Sequence, residues 1–144
     1  MAQSRRSMNW RLCAAGLALR DQVNRAFPDR DRRSDGSIGD TSHSARVSDH
    51  NPDAKGWVRA IDIDADLGRD RKAAFVLANQ LRILARRDRR LKYIIFAGKY
   101  ASRRTLFRWV KYRGINPHHH HIHCSFTKKG DKNGKPFKVA ILES

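Results

Sequence analysis

Two segments about sixty residues apart carry the residues most suited to chemistry. One contains Ser48-Asp49-His50 followed by Ala60-Ile61-Asp62, and the other is His121-Ile122-His123. Imidazole nitrogen and carboxylate oxygen are the donors of a hydrolytic zinc site, and three protein ligands leave a fourth position open for water. A closed structural site normally recruits a fourth protein ligand, often cysteine. The two cysteines, Cys13 and Cys124, stand far apart and form no Cys-x-x-Cys knuckle. His50, Asp62 and His123 are therefore candidate metal ligands, and hydrolysis is the candidate chemistry. Alternatives stay open at this level. On a strand His121 and His123 point the same way, so one can ligate while the other bonds water or a tetrahedral intermediate. Asp64 shares the face of Asp62 and competes with it, as does Asp66. The run from His118 to His121 is internal, unlike a terminal tag. His120 and His121 are expected to carry chemistry, and His118 and His119 to be partly solvent-facing.

The elements that must position these groups follow from periodicity. Leu12, Ala15, Leu19, Val23 and Phe27 recur at helical spacing, predicting a helix over residues 10–27 with one buried face, ended by Pro28-Asp29. Residues 29–40, rich in Arg, Asp, Ser and Gly, read as an exposed loop, and 41–55 are equally irregular. Residues 57–63 alternate and are β-prone, predicting a strand with Val58, Ala60, Asp62 and Asp64 on one face and Trp57, Ile61 and Ile63 on the other. Ala74, Leu77, Leu81 and Leu84 form the stripe of a helix over 70–87, closed by the Arg86–Arg90 cluster, which is expected to face solvent. Residues 92–97 read as a central strand, and 105–112 as a strand or short helix. Residues 121–126 read as a strand that turns Cys124 away from the histidines, and 137–142 as a weaker last element. The expected fold is a small single α+β domain spanning 1–144, with its core at about 10–126 and a largely antiparallel sheet flanked by helices.

Composition narrows the setting. The 144 residues suffice for one core. Thirty-one Lys and Arg against fourteen Asp and Glu give a formal charge of +17, which draws the chain to polyanions: nucleic acid, anionic wall polymers or lipid headgroups. No stretch approaches the roughly 20 apolar residues that cross a bilayer. The apolar run 12–19 lacks a cleavage site and reads as an amphipathic helix rather than a signal peptide. Two lone cysteines provide no disulfide framework, which suits a reducing cytoplasm.

A resemblance adds to this reading. Asp35–Asp40, His43-Ser44-Ala45-Arg46-Val47-Ser48-Asp49-His50-Asn51-Pro52 and Gly56–Ile63, with Asn116-Pro117-His118 and His121-Ile122-His123-Cys124-Ser125, resemble the phage-lysin branch of the zinc D-Ala-D-Ala carboxypeptidases and L-alanyl-D-glutamate endopeptidases. The wider superfamily includes lysostaphin-type peptidases and the hedgehog signalling domain. Its pattern is S-x-H, then G-x-A-x-D, then H-x-H, and the likeness runs over about 10–126. The resemblance implies one zinc ion held by His50, Asp62 and His123, on a cleft of a hedgehog-like sheet. It implies that His121 assists the water or the transition state. Two departures stand out: residues 51–55 lengthen the gap between His50 and Asp62, and His120 occupies the place of the usual acidic base, three residues before the last ligand.

The leading expectation is a zinc peptidase of peptidoglycan stem peptides, an endopeptidase or a carboxypeptidase. His120 or His121 moves the proton, and Arg46 grips a substrate carboxylate or the oxyanion. His43 and Ser48 are weaker candidates near the same loop. The positive surface would hold a monomer against anionic wall polymers, with no nucleic acid required. A phage lysin of this kind would collect in the host cytoplasm and reach the wall through a pore made by another protein. A metal-dependent nuclease or nucleic-acid-binding protein is the alternative, supported by the charge and by Asp49-His50-Asn51, but without a ββα-metal pattern. A catalytically silent binding relative is the third reading.

Overall fold

The computed structural model describes residues 10–36, 49–114 and 118–143. The chain enters as a short strand β1 (Arg11–Leu12), then helix α1 (Ala14–Ala26). The sequence predicts a helix already at residue 10, but Arg11 and Cys13 N–H groups donate to the Gly56 and Val58 carbonyls at 2.8 and 2.9 Å. The segment is thereby paired in parallel with β2 (Trp57–Val58). The Cys13 thiol then caps α1 by accepting from the Gly16 N–H. Ala15, Leu19 and Val23 are buried along the predicted stripe, with Phe27 just beyond the helix end.

The expected strand over 57–63 breaks at Arg59. Its guanidinium is clamped by Asp131 at 2.7 and 2.8 Å and by Asp53 at 2.8 Å. The break separates β2 from β3 (Ala60–Asp64). Asp70 accepts from the Lys72 N–H at the start of α2 (Lys72–Leu84), whose Ala74, Leu77, Ala78, Leu81 and Leu84 are buried. The turn after α2 corrects one expectation. Arg90 does not face solvent; it is 6% exposed, lies 3.9 Å over the Phe137 ring, and donates to the Asn133 and Lys135 carbonyls.

Strands β4 (Leu91–Phe96), β5 (Lys99–Ser102), β6 (Val110–Lys111) and β7 (His121–Phe126) complete an antiparallel five-stranded sheet in the order β3-β7-β4-β5-β6. The region expected to be a strand or helix at 105–112 resolves into a 3₁₀ turn, Arg103–Thr105, and the two-residue β6. Between them Leu106 and Phe107 both take φ 55°, a costly left-handed backbone that burial of the Phe107 ring offsets. The weak last element is a 3₁₀ turn at Ala140–Leu142.

Alternation gives the sheet two unlike faces. Ile61, Ile63, Ile94, Phe96, Ala101, Ile122, Cys124 and Phe126 join the buried faces of α1 and α2 in the core. Asp62, His121, His123 and Ser125 lie on the other face. Burial pushes the Cys13 thiol up to about 11 and the Cys124 thiol higher still, so both are inert core side chains. Among the described residues no helix is long and apolar enough to cross a membrane.

The described part of the expected exposed loop, residues 29–36, is instead tied down along the free edge of β3. Arg30 is 5% exposed and makes a two-pronged ion pair with Asp35, which also accepts from the Asp64 N–H at 2.7 Å. Gly36 exchanges two backbone hydrogen bonds with Asp62, at 2.7 and 3.3 Å. This covers a sheet edge that would otherwise present unpaired donors and acceptors.

Candidate metal centre

Three elements converge on one point. Strands β3 and β7 pair with Asp62 opposite His123, so cross-strand register alone brings carboxylate and imidazole together. His50 comes from a turn tied to the β2–β3 junction and to β4. The Asp49 carbonyl accepts from the Arg59 N–H, and the Asp49 carboxylate pairs with Lys92 on β4 at 3.0 Å. The residues between His50 and Trp57 are ordered by Asp53, which accepts from the Lys55 and Trp57 N–H groups at 2.9 Å.

The three side chains form a nearly equilateral triangle of donor atoms. His50 Nε2 lies 3.1 Å from His123 Nδ1 and 3.2 Å from Asp62 Oδ1, and His123 Nδ1 lies 3.2 Å from the same oxygen. Zinc–ligand bonds of about 2.0–2.1 Å in tetrahedral geometry place neighbouring donors about 3.3–3.4 Å apart. The triangle is within about three-tenths of an ångström of that spacing. The group could hold a metal ion, and its two-nitrogen, one-oxygen donor set suits a borderline cation such as zinc.

Electrostatics agree with this use. His50 and His123 are 6% and 5% exposed. Burial lowers the pKa of His123 against the opposing pull of Asp62, favouring the neutral, lone-pair-bearing ring. Burial alone would raise the pKa of Asp62. Hydrogen bonds from His123 and His50, with their charge, outweigh burial and hold the carboxyl well below the usual range. Ser125, fully buried, sits 2.8 Å from His123 Nε2 and stands opposite Tyr93 in the β4–β7 pair. When the serine oxygen accepts from His123 Nε2–H, Nδ1 faces the triangle as a lone pair. Tyr93 stacks on the His123 ring at 5.3 Å and 15°, and burial pushes its phenol up to about 12.

The remaining histidines divide. His121 places Nε2 3.6 Å from Asp62 Oδ1, and burial lowers its pKa. His118 departs from the expectation that it faces solvent: it is 9% exposed, adopts φ 60°, and packs edge-on against His121 at 4.8 Å and His123 at 5.3 Å. Asp62, His118 and His121 form a second, looser group of possible metal donors. His119 and His120 are exposed. His120 lines a separate depression with Ser34, Asp64 and Arg71, and is in neither donor group. Asp64, the expected rival of Asp62, is occupied: its oxygens accept from Ser34 N–H and Oγ–H and from the Asp66 N–H. Asp66 accepts from the Gly68 N–H and is likewise outside both groups. Arg46, His43 and Ser48 lie outside the described residues. Ser125 follows from the strand alternation that links His121 and His123, a signal present in the sequence. Tyr93 reaches it only through the β4–β7 register.

No family model, no curated protein and no solved structure matches this chain.

Proposed function

We propose that the chain is a zinc-dependent peptidase that hydrolyses a bond in the stem peptides of peptidoglycan, on a hedgehog- and D-Ala-D-Ala-peptidase-like sheet. The observation that carries the reading is the His50–Asp62–His123 triangle, with its two imidazoles buried and a fourth polar group, His121, standing beside its acid. The motif resemblance supplies the substrate class. A bound zinc ion supplies Lewis acidity, bringing water toward a pKa of ~7 and polarising a carbonyl.

The protein groups then have distinct tasks. Ser125 and Tyr93 hold the His123 ring in its orientation. His121, kept neutral by burial, accepts a proton at Nε2 and returns it to the leaving amine. Asp62 is close enough to stabilise the imidazolium that forms. His118 backs the His121 ring and limits its rotation. His120 is the weaker base candidate because it is exposed and in neither donor group. Arg46 is assigned to the substrate carboxylate by motif position alone.

The test offers muropeptides and plasmid DNA to the purified chain, stripped by a chelator and then reloaded with zinc. The reading expects peptide cleavage that is lost with chelator and with His123→Ala and restored by zinc only in the parent chain. DNA cleavage without peptide cleavage replaces it with a nuclease.

A further inference from the structure

Arg87, Asp88, Arg89 and Arg90, which the metal centre leaves unused, form one wall of a cavity of about 610 Å³. We propose that this basic groove docks a flexible phosphodiester polymer that carries no bases, of the polyol-phosphate kind. The choice of a wall polymer rests on the peptidase reading above.

Two segments distant in sequence build the groove. Arg87, Arg89 and Arg90 come from the turn after α2, and Lys129, Lys135 and Lys138 from the C-terminal loop. One carboxylate, Asp88, lines it, and Arg90 consumes that charge through hydrogen bonds at 3.0 and 2.7 Å. The rest of Arg90 is structural: its remaining nitrogen ties the Asn133 and Lys135 carbonyls, and its plane lies on Phe137. Arg90 is thus a rigid floor whose charge is neutralised. The other five cations are exposed, and no ion pair engages them among the described residues. The opposite wall is brought in by close packing at Gly130, where an added Cβ would meet the Ala15 Cβ at 2.7 Å. None of the lining residues belongs to the metal centre.

The lining also selects the ligand. Five cations around one concavity exceed what a single phosphate needs, and they match a chain of regularly spaced monoanions. Single-stranded nucleic acids gain much of their hold from bases stacked on aromatic side chains. No aromatic side chain lines this groove, and the Phe137 ring is buried beneath Arg90. A polymer held through phosphates alone fits; one that relies on base stacking does not.

The experiment measures binding of a fluorescent glycerol-phosphate oligomer by anisotropy over a series of salt concentrations. It compares the full chain with K129E/K135E/K138E and with R25E/K72E/R104E, which has the same net charge with the changes placed elsewhere on the surface. Five phosphate contacts predict a log–log salt slope of about −3.5, from about −0.7 per contact on a flexible chain. The groove variant is expected to lose at least about tenfold in affinity and most of that slope, and the control less than about threefold. Equal losses in both variants overturn the proposal, because the attraction is then diffuse. Tighter binding of an oligothymidylate with the same number of phosphates also overturns it. If circular dichroism shows the groove variant unfolded, K135S/K138S decides the matter: its slope should fall by about 1.4, two contacts' worth, and an unchanged slope overturns the proposal. Cleavage of soluble muropeptides, read in parallel, stays at the parent level in the groove variant. Absence of cleavage in the parent chain would refute the peptidase reading and leave the groove measurement intact.

Discussion

Ser125→Ala removes a single oxygen from beneath the candidate metal centre and separates the proposed ligand set from the group that orients it. In the parent chain the serine lies 2.8 Å from His123 Nε2, in a place with no solvent access. Water cannot readily replace it. Losing a partner of this kind behind a ligating imidazole typically weakens metal binding by about 10–100-fold. Because the ring is both buried and stacked, the upper half of that range is expected, about 2–2.8 kcal/mol at 1.4 kcal/mol per tenfold. The metal-free chain also loses stability, by about 1–3 kcal/mol, since a buried imidazole N–H is left unpaired. The two effects separate in a pair of assays: zinc competition against a chromophoric chelator at pH 7.5, and urea unfolding after chelation. Nitrogen NMR of the apo chain adds a direct readout, because the parent should show His123 protonated at Nε2 and the variant a mixture of tautomers. A variant that binds zinc as tightly as the parent, with its tautomer unchanged, would refute the argument that Ser125 sets the ligating nitrogen.

Stability of the metal-free chain should fall continuously as pH drops from 8 to 4. The His123 pKa is lowered from 6.5, so below that pH the unfolded chain binds a proton the folded chain resists; Asp62, lowered from 3.8, adds a further loss as pH falls toward 4 and below. Urea midpoints at pH 8, 6, 5 and 4 check the sign, and a midpoint that rises on acidification would reverse it. Zinc affinity should fall as pH drops through the lowered pKa of His123, because a proton competes with the metal for that imidazole. Arg90→Met should cost about 2–4 kcal/mol, since it strips charged hydrogen bonds from two carbonyls and from Asp88 while leaving zinc affinity unchanged; calorimetric unfolding with and without zinc reads both. Gln22→Ala should cost about 2–5 kcal/mol, because the Gln22 amide both donates to the Phe137 carbonyl and accepts from its N–H in the core, and both backbone groups would be orphaned. A loss below about 1 kcal/mol, the net worth of an ordinary hydrogen bond, would mean water reaches that site.

What the sequence determined by itself is local. The apolar stripe Ala74, Leu77, Leu81 and Leu84 describes α2 because burial of one helical face depends only on a period of 3.6 residues. The alternation of His121, His123 and Ser125 against Ile122 and Cys124 likewise describes β7, with imidazoles on one face and core on the other. Where local pattern misled, a distant partner overrode it. Residues 11–12 became a strand because β2 supplies carbonyls, and the β-prone run at 57–63 broke because Asp53 and Asp131 hold Arg59. Arg90 was drawn inside by Phe137 and by carbonyls more than forty residues away. The choice between Asp62 and Asp64 belongs to the same class. The two acids share a face in any strand, and only tertiary structure gives Asp64 to Ser34 and leaves Asp62 opposite His123 and within reach of His50. A metal centre needs three donors at the corners of a triangle about 3 Å on edge. Periodicity sets which way each donor points, but that distance depends on strand register and on how the turn bearing His50 packs, and both are decided by contacts between segments far apart in the chain.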